Sequence, residues 1–192
     1  LSMKDLEEIL RHIIKNSALI IDKLDNESVV VCEFIKNEFG RSNVIENYLF
    51  QFVFRSFYRL DSAGLTKEWK TRFFELMEKY RKAPPNLKEL VTELSILPTI
   101  RGYNSIQFSF ATKLLNTLNE DKPIYDSFIA LVFGFNPPTT SNKSEKISRY
   151  IEFYDNLEMN YSKIIKEKLL DTVLQKFDDK FVNNSLGQIK KL

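Results

Sequence analysis

Apolar side chains recur at helical spacing along most of the chain. In the first segment, residues 3–23, they stand three or four positions apart, at Leu6, Ile9, Leu10, Ile13 and Ile14. Such spacing gives a helix one apolar face that can be buried against neighbours. Comparable patterns predict helices over 27–38, 43–60, 67–81, 87–94, 106–118, 127–133, 143–156, 158–175 and 176–182. The expected fold class is therefore all-α, with a short strand over Val29-Val30-Val31 as the alternative inside the second segment.

Capping residues mark several of the helix ends. Phe39-Gly40 is expected to end the second helix, because glycine is favoured just after a helix. Thr66 and Asn86 precede apolar runs and are expected to be N-caps, since their side chains accept hydrogen bonds from free backbone N–H groups. Pro123 fixes the backbone just before the helix that is predicted to begin at Ser127.

Proline-rich breaks suggest how the chain is organised. We expect one all-α domain over residues 3–182, either undivided or in two lobes that meet near 83–86 or 136–142. Residues 183–192 are expected to form a frayed C-terminal tail.

Composition supports a sizeable buried core. Of 192 residues, 43% are hydrophobic, with 16 Phe and 8 Tyr, which excludes intrinsic disorder. The 5 glycines form neither a Walker nor a Rossmann phosphate-binding pattern. No apolar run approaches the roughly 20 residues of a membrane span, and the acidic, amphipathic beginning does not resemble a signal peptide, so we expect a cytoplasmic protein.

Charge and cysteine content narrow the remaining chemistry. The net charge of +2 allows a nucleic-acid partner without indicating one. Cys32 is the single cysteine, which excludes an internal disulfide and an iron–sulfur cluster and fits a reducing compartment. His12 is the single histidine, so neither a metal site nor a cysteine–histidine nucleophile is expected. No cofactor is predicted.

The most informative segment runs from Ser105 to Ser127. It reads Ser-Ile-Gln-Phe-Ser-Phe-Ala-Thr-Lys-Leu-Leu-Asn-Thr-Leu and, after a tight turn at 119–122, Pro-Ile-Tyr-Asp-Ser. Pro123-Ile124-Tyr125-Asp126 matches a Pro-x-x-Asp pattern at the beginning of a helix. The run from Gln107 to Asp126 resembles the core of the helix-hairpin-helix (HhH-GPD) DNA glycosylase superfamily, and more narrowly a bacterial group of 8-oxoguanine DNA glycosylase-like proteins.

This resemblance implies a DNA-glycosylase-like helical bundle with a helix-hairpin-helix element. It places Asp126 at the superfamily's catalytic aspartate and Ser109, rather than Lys113, at its Schiff-base lysine. Superfamily members with serine at that position are monofunctional and use the aspartate with water. The implied activity is therefore hydrolysis of the N-glycosidic bond to a damaged or modified base in double-stranded DNA, without a covalent lysine intermediate.

The resemblance also implies DNA contacts around the hairpin. The family's hairpin glycines let backbone amides approach a phosphate, but Ser105 and Gln107 occupy those positions here and would have to donate from their side chains. Basic residues around the hairpin are candidates for further phosphate contacts, namely Arg101, Lys113 and Lys122. By residue type alone, Tyr58, Trp69 and Tyr125 are candidates for stacking on an extruded base.

Two other interpretations remain open. Aspartate before a helix is a common N-cap, so Asp126 has a structural explanation that needs no catalysis. A catalytically silent DNA-binding or protein-interaction module of the same fold would explain the missing hairpin glycines and the nearly balanced charge. An unrelated helical interaction domain would explain the aromatic residues as packing alone.

Overall fold

The structure is a computed structural model that describes residues 4–102 and 104–192. Met3, the expected start of the first helix, lies outside the described residues. Within them the chain forms ten helices: α1 (Leu6–Lys23), α2 (Asn26–Arg41), α3 (Tyr48–Phe57), α4 (Lys67–Lys79), α5 (Leu87–Leu94), α6 (Phe108–Leu118), α7 (Ser127–Phe133), α8 (Lys143–Lys166), α9 (Asp171–Lys180) and α10 (Gln188–Lys191).

The predicted all-α class is confirmed. Extended pairing in the described residues is limited to two isolated bridges, Leu65 with Thr99 and Pro98 with Asn104, in the loops around α4 and α5. No helix among these residues combines the length and the apolar character that crossing a lipid bilayer requires.

Side-chain caps begin most of the helices, as the sequence predicts for α4 and α5. Thr66 Oγ1 accepts a hydrogen bond from Trp69 N at 3.1 Å, and Asn86 Oδ1 accepts one from Glu89 N at 2.9 Å. These bonds satisfy backbone donors that have no partner inside the helix.

The predicted end of α2 and the strand alternative are wrong. Asp25 caps the helix, which runs through Val29-Val30-Val31 and Gly40 to Arg41, and Ser42 N then donates to Glu38 O at 3.0 Å. Gly40 keeps a helical conformation here because hydrogen bonds on both sides of it continue the helix.

The C-terminal segment is not frayed. Lys36 Nζ donates to Ser185 O at 2.8 Å, and Lys191 pairs with Asp178 at 2.6 Å. The short helix α10, to which Lys191 belongs, packs against α9. The expected tail at 183–192 is therefore corrected to a docked segment, because these contacts offset the entropy that ordering a terminus costs.

Aromatic rings fill the centre of the molecule. Phe54 packs against Phe50, Phe73 and Phe74 with ring centroids 5.6 to 5.8 Å apart, and Trp69 stacks on Phe73 at 5.4 Å. One continuous hydrophobic cluster extends from these rings into helices of both halves of the chain. Helix α6 lies against α2, α4 and α5, so its orientation is fixed from three directions.

Candidate functional site

One face of α6 lines a cleft of about 1150 Å³. Ser109, Lys113 and Asn116 follow one another at intervals of four and three residues, which places them on the same side of the helix. On the core side, Ala111 and Leu114 are fully buried. Burial of these apolar side chains therefore turns the polar face of α6 toward the cleft.

The loop from α6 to α7 is tied to α6 by hydrogen bonds. Tyr125 N donates to Thr112 Oγ1 at 3.0 Å, and Asn116 Nδ2 donates to Lys122 O at 2.7 Å. Because Thr112 and Asn116 are buried, these bonds are shielded from water and fix the place of the next helix, α7, beside α6.

Asp126 caps α7 and also lines the cleft. Its Oδ1 accepts hydrogen bonds from Phe128 N and Ile129 N, each at 2.9 Å. Among the residues that the structure describes, none donates to Oδ2. The carboxylate is thus held in one orientation by the helix while one oxygen stays available to a ligand.

Lys113 is a part-buried amine that has no carboxylate partner. Within the described ranges, no carboxylate oxygen lies within 4.0 Å of its Nζ, which instead stands 5.4 Å from the ring of Tyr58 and 5.0 Å from that of Phe110. Burial lowers the pKa of Lys113, and the positive charges of Lys190 and Arg59 lower it further, against the opposing effect of Asp126. Lys113 therefore loses its proton more readily than an exposed lysine does.

Lys190 was missed by the sequence analysis. Helix α10 brings its amine to the cleft, where it donates to Tyr58 OH at 2.7 Å and to Asn116 Oδ1 at 2.9 Å. Burial also lowers the pKa of Lys190. The sequence did hold one signal, the three-residue spacing of Leu186, Ile189 and Leu192. This spacing is typical of a packed helical turn, and all three side chains do pack against the core.

The charged side chains of the cleft are mostly positive, whereas those of the whole chain are nearly balanced. Of the described residues that line it, Arg59, Lys113 and Lys190 carry positive charge and Asp126 alone carries negative charge. Arg59 has a φ of 59°, a left-handed conformation that is uncommon for a residue with a side chain and that occurs more often at functional sites. The cleft therefore favours an anionic ligand.

Two of the three candidate stacking residues reach the cleft. Tyr58 and Tyr125 line it, and burial raises the pKa of both phenols, which keeps them protonated hydrogen-bond donors. Trp69 does not reach the cleft, because it is fully buried and its Nε1 donates to Leu94 O at 3.2 Å. Phe128, which the sequence analysis did not single out, stands at the mouth of the cleft with 75% of its surface exposed.

Four of the five candidate DNA-contact residues lie outside the cleft. Arg101 is exposed in the loop before α6, and Gln107 Nε2 donates to Ser105 Oγ at 2.6 Å. Lys122 pairs with Glu158 at 3.0 Å. Lys113 alone of the five faces the cleft, together with Ser109 and Asp126.

Other reactive groups are placed unfavourably for chemistry. Burial raises the pKa of the Cys32 thiol, which disfavours the nucleophilic thiolate. His12 is exposed on α1, where its backbone carbonyl accepts a hydrogen bond from Asn16. In the described part of the chain, no three His, Cys, Asp or Glu side chains are grouped closely enough to hold a metal ion.

Comparisons of the chain with protein-family models, with curated proteins and with solved structures return no match.

Proposed function

We propose that this protein is a DNA N-glycosylase that removes a damaged or modified base from double-stranded DNA. Asp126 is its essential carboxylate, and no covalent lysine intermediate is required. The fold in this proposal is a glycosylase-like bundle whose helix-hairpin-helix element consists of α5, the loop that follows it, and α6.

The orientation of Asp126 carries the proposal. Asp25 also caps its helix through one carboxylate oxygen, so a free second oxygen alone does not distinguish Asp126 from an ordinary cap; its place in the cleft does. Asp126 Oδ1 holds the cap while the side chain lines a positively charged cleft large enough for a nucleotide. The second oxygen is therefore oriented before any ligand arrives.

The chemistry follows from this arrangement. Breaking an N-glycosidic bond develops positive, oxocarbenium-like charge on the sugar, and a fixed carboxylate stabilises that charge. Ser109 lines the same cleft one helical turn before Lys113, so its hydroxyl and Asp126 Oδ2 can together orient the attacking water. The exposed ring of Phe128 at the cleft mouth offers surface to the extruded base, whereas Tyr58 and Tyr125 line the cleft but are buried against other rings.

Strand cleavage after base removal tests this proposal. The protein is incubated with duplexes that each contain one of a panel of lesions, and hot alkali then converts abasic sites to breaks. We expect Asp126→Asn to reduce the rate by about 10²- to 10³-fold, the range for losing a preorganised electrostatic group. Asparagine keeps an oxygen for the cap, so folding is retained.

Asp121→Asn is the matched control, because Asp121 is exposed in the preceding turn and does not line the cleft. It should cleave at the wild-type rate. Absence of breaks on every lesion, with the wild-type protein folded, would reject the enzyme. A borohydride-trapped DNA adduct that Lys113→Ala abolishes would instead show that Lys113 is the nucleophile.

One observation favours the second candidate, a catalytically silent DNA-binding or protein-interaction module of the same fold. The side chains of Ser105 and Gln107, at the positions of the hairpin glycines, hydrogen-bond to each other at 2.6 Å rather than extending toward a phosphate. Duplex binding without strand breaks, unchanged in Asp126→Asn, is the result that this candidate predicts.

A further inference from the structure

Two lysines share the floor of the cleft. The Nζ atoms of Lys113, on α6, and of Lys190, on α10, each lie 5.4 Å from the centre of the Tyr58 ring. We refer to Lys113 and Lys190 as the lysine pair. Their mutual repulsion costs free energy unless a negative charge compensates it.

The lysine pair retains unused hydrogen-bond donors. An ammonium group has three N–H donors, and Lys190 directs two of them to neutral acceptors, Tyr58 OH and Asn116 Oδ1. Lys113 Nζ donates to none of the residues that the structure describes. Several donors on the cleft floor are therefore available to a ligand.

Several other part-buried lysines of the chain are paired with carboxylates. Lys36 pairs with Glu120 at 2.8 Å, and Lys191, the neighbour of Lys190, pairs with Asp178 at 2.6 Å. Such pairing compensates the loss of hydration that a buried charge suffers. Neither member of the lysine pair forms an ion pair with a described carboxylate, and Asp126 offsets the burial of Lys113 only in part, because the pKa of that amine stays below its ordinary value.

We propose that the lysine pair binds a phosphate group of a nucleotide at the floor of the cleft. A phosphate has the required charge and enough acceptor oxygens to bridge both amines, and the Tyr58 hydroxyl can donate a further hydrogen bond to it. Assignment of this phosphate to the nucleotide extruded from DNA rests on the proposed function. The phosphate subsite itself does not depend on whether a bond is cut.

Isothermal titration calorimetry with three probes tests the subsite. Thymidine 3′,5′-bisphosphate carries base, sugar and phosphate, thymidine lacks the phosphate, and inorganic phosphate lacks the nucleoside. We expect the bisphosphate to bind at least about tenfold more tightly than thymidine, because only the bisphosphate reaches the two amines. Binding of inorganic phosphate as tight as that of the bisphosphate would still support the subsite and would indicate free phosphate as its source.

Variants show whether the lysine pair is responsible. Lys190→Met and Lys113→Met should each weaken bisphosphate binding by about tenfold or more, the usual loss for a charge-assisted contact. Lys190→Arg keeps the charge and should retain most of the affinity. Lys166→Met makes the same charge change on the exposed side of α8, away from the cleft, and should bind like the wild type.

The outcomes separate this inference from the proposed function. Equal bisphosphate affinity in wild type, Lys113→Met and Lys190→Met, or no binding of any phosphate probe to the wild type, would overturn the subsite even if lesion DNA is cleaved. If Lys190→Met does not fold, the bisphosphate affinities of Lys113→Met and Lys190→Arg decide whether the lysine pair binds the phosphate. Phosphate binding that depends on the lysine pair, without cleavage of DNA at any lesion, would reject the proposed glycosylase activity and support the phosphate subsite.

Discussion

Two neighbouring cavities with opposite chemistry share one wall. The cleft of about 1150 Å³ and a second cavity of about 560 Å³ have five lining residues in common, namely Leu24, Ile129, Leu131, Tyr161 and Leu192. The second cavity lies among α1, α7, α8 and α9 and is lined mainly by aliphatic side chains. Its cations are engaged: Lys191 pairs with Asp178, and Lys4 Nζ donates to Leu131 O at 3.3 Å.

The difference shows what distinguishes a candidate ligand site from imperfect packing. An apolar cavity whose cations are all engaged can arise from imperfect packing alone and is not by itself evidence of a ligand. The cleft instead holds the part-buried amine of Lys113, which donates to none of the described residues, and such a group costs folding free energy and often marks a functional site. The amine of Lys113 and the free oxygen of Asp126, rather than the size of the cavity, therefore indicate a ligand site in the cleft.

Aromatic truncations provide the largest expected effect. Phe177 is buried beside the apolar cavity and Phe128 is 75% exposed at the cleft mouth. Phe177→Ala should lower the free energy of unfolding by about 3–5 kcal/mol, whereas Phe128→Ala should change it by less than about 0.5 kcal/mol. Urea denaturation measures both. Similar losses of stability at the two positions would mean that Phe128 packs in the core rather than standing exposed at the cleft mouth.

The fold was largely predictable because helices leave local signals. Apolar spacing and the caps Thr66 and Asn86 locate α4 and α5 closely. The extent of α8 was not predictable in the same way. The pattern predicts two helices over 143–156 and 158–175, whereas one helix runs from Lys143 to Lys166. No proline or glycine interrupts that stretch, and tertiary packing decides where a continuous helical pattern ends.

Removing one lysine from each cavity should change stability in opposite directions. Lys113→Met removes an unpaired, part-buried charge from the cleft and should raise the free energy of unfolding by about 1 kcal/mol. Lys191→Met breaks the ion pair with Asp178 and should lower it by about as much. Urea denaturation at pH 7 measures both changes. A loss of stability in Lys113→Met would show that its amine is already compensated in the folded protein.

The candidate site was only partly predictable. Ser109, Lys113 and Asp126 belong to one short segment, so sequence spacing was enough to bring them together. Lys190 and Arg59 reach the same cleft from α10 and from the turn after α3, through long-range packing that no local pattern encodes. Trp69 has the right residue type, but its position in the core follows from its contacts with Phe73 and Phe110.

The smallest expected effect is a dependence of the Lys113→Met stability gain on pH. Burial holds the pKa of Lys113 in the folded protein below its ordinary value of 10.5. Below the folded pKa both states are protonated, and the full penalty of the buried charge is present. Between the folded pKa and 10.5 the unfolded chain binds more protons, so the wild type gains stability as pH rises.

The stability gain of Lys113→Met over the wild type should therefore shrink as pH rises toward 10.5, as the wild-type penalty fades. Urea denaturation of both proteins at a series of pH values below 10.5 measures the difference. Lys166→Met, at an exposed position of α8, is the matched control for the loss of one lysine charge. A constant gain for Lys113→Met would mean that its amine is hydrated like a surface lysine, and the contrast between the two cavities would then rest on shape alone.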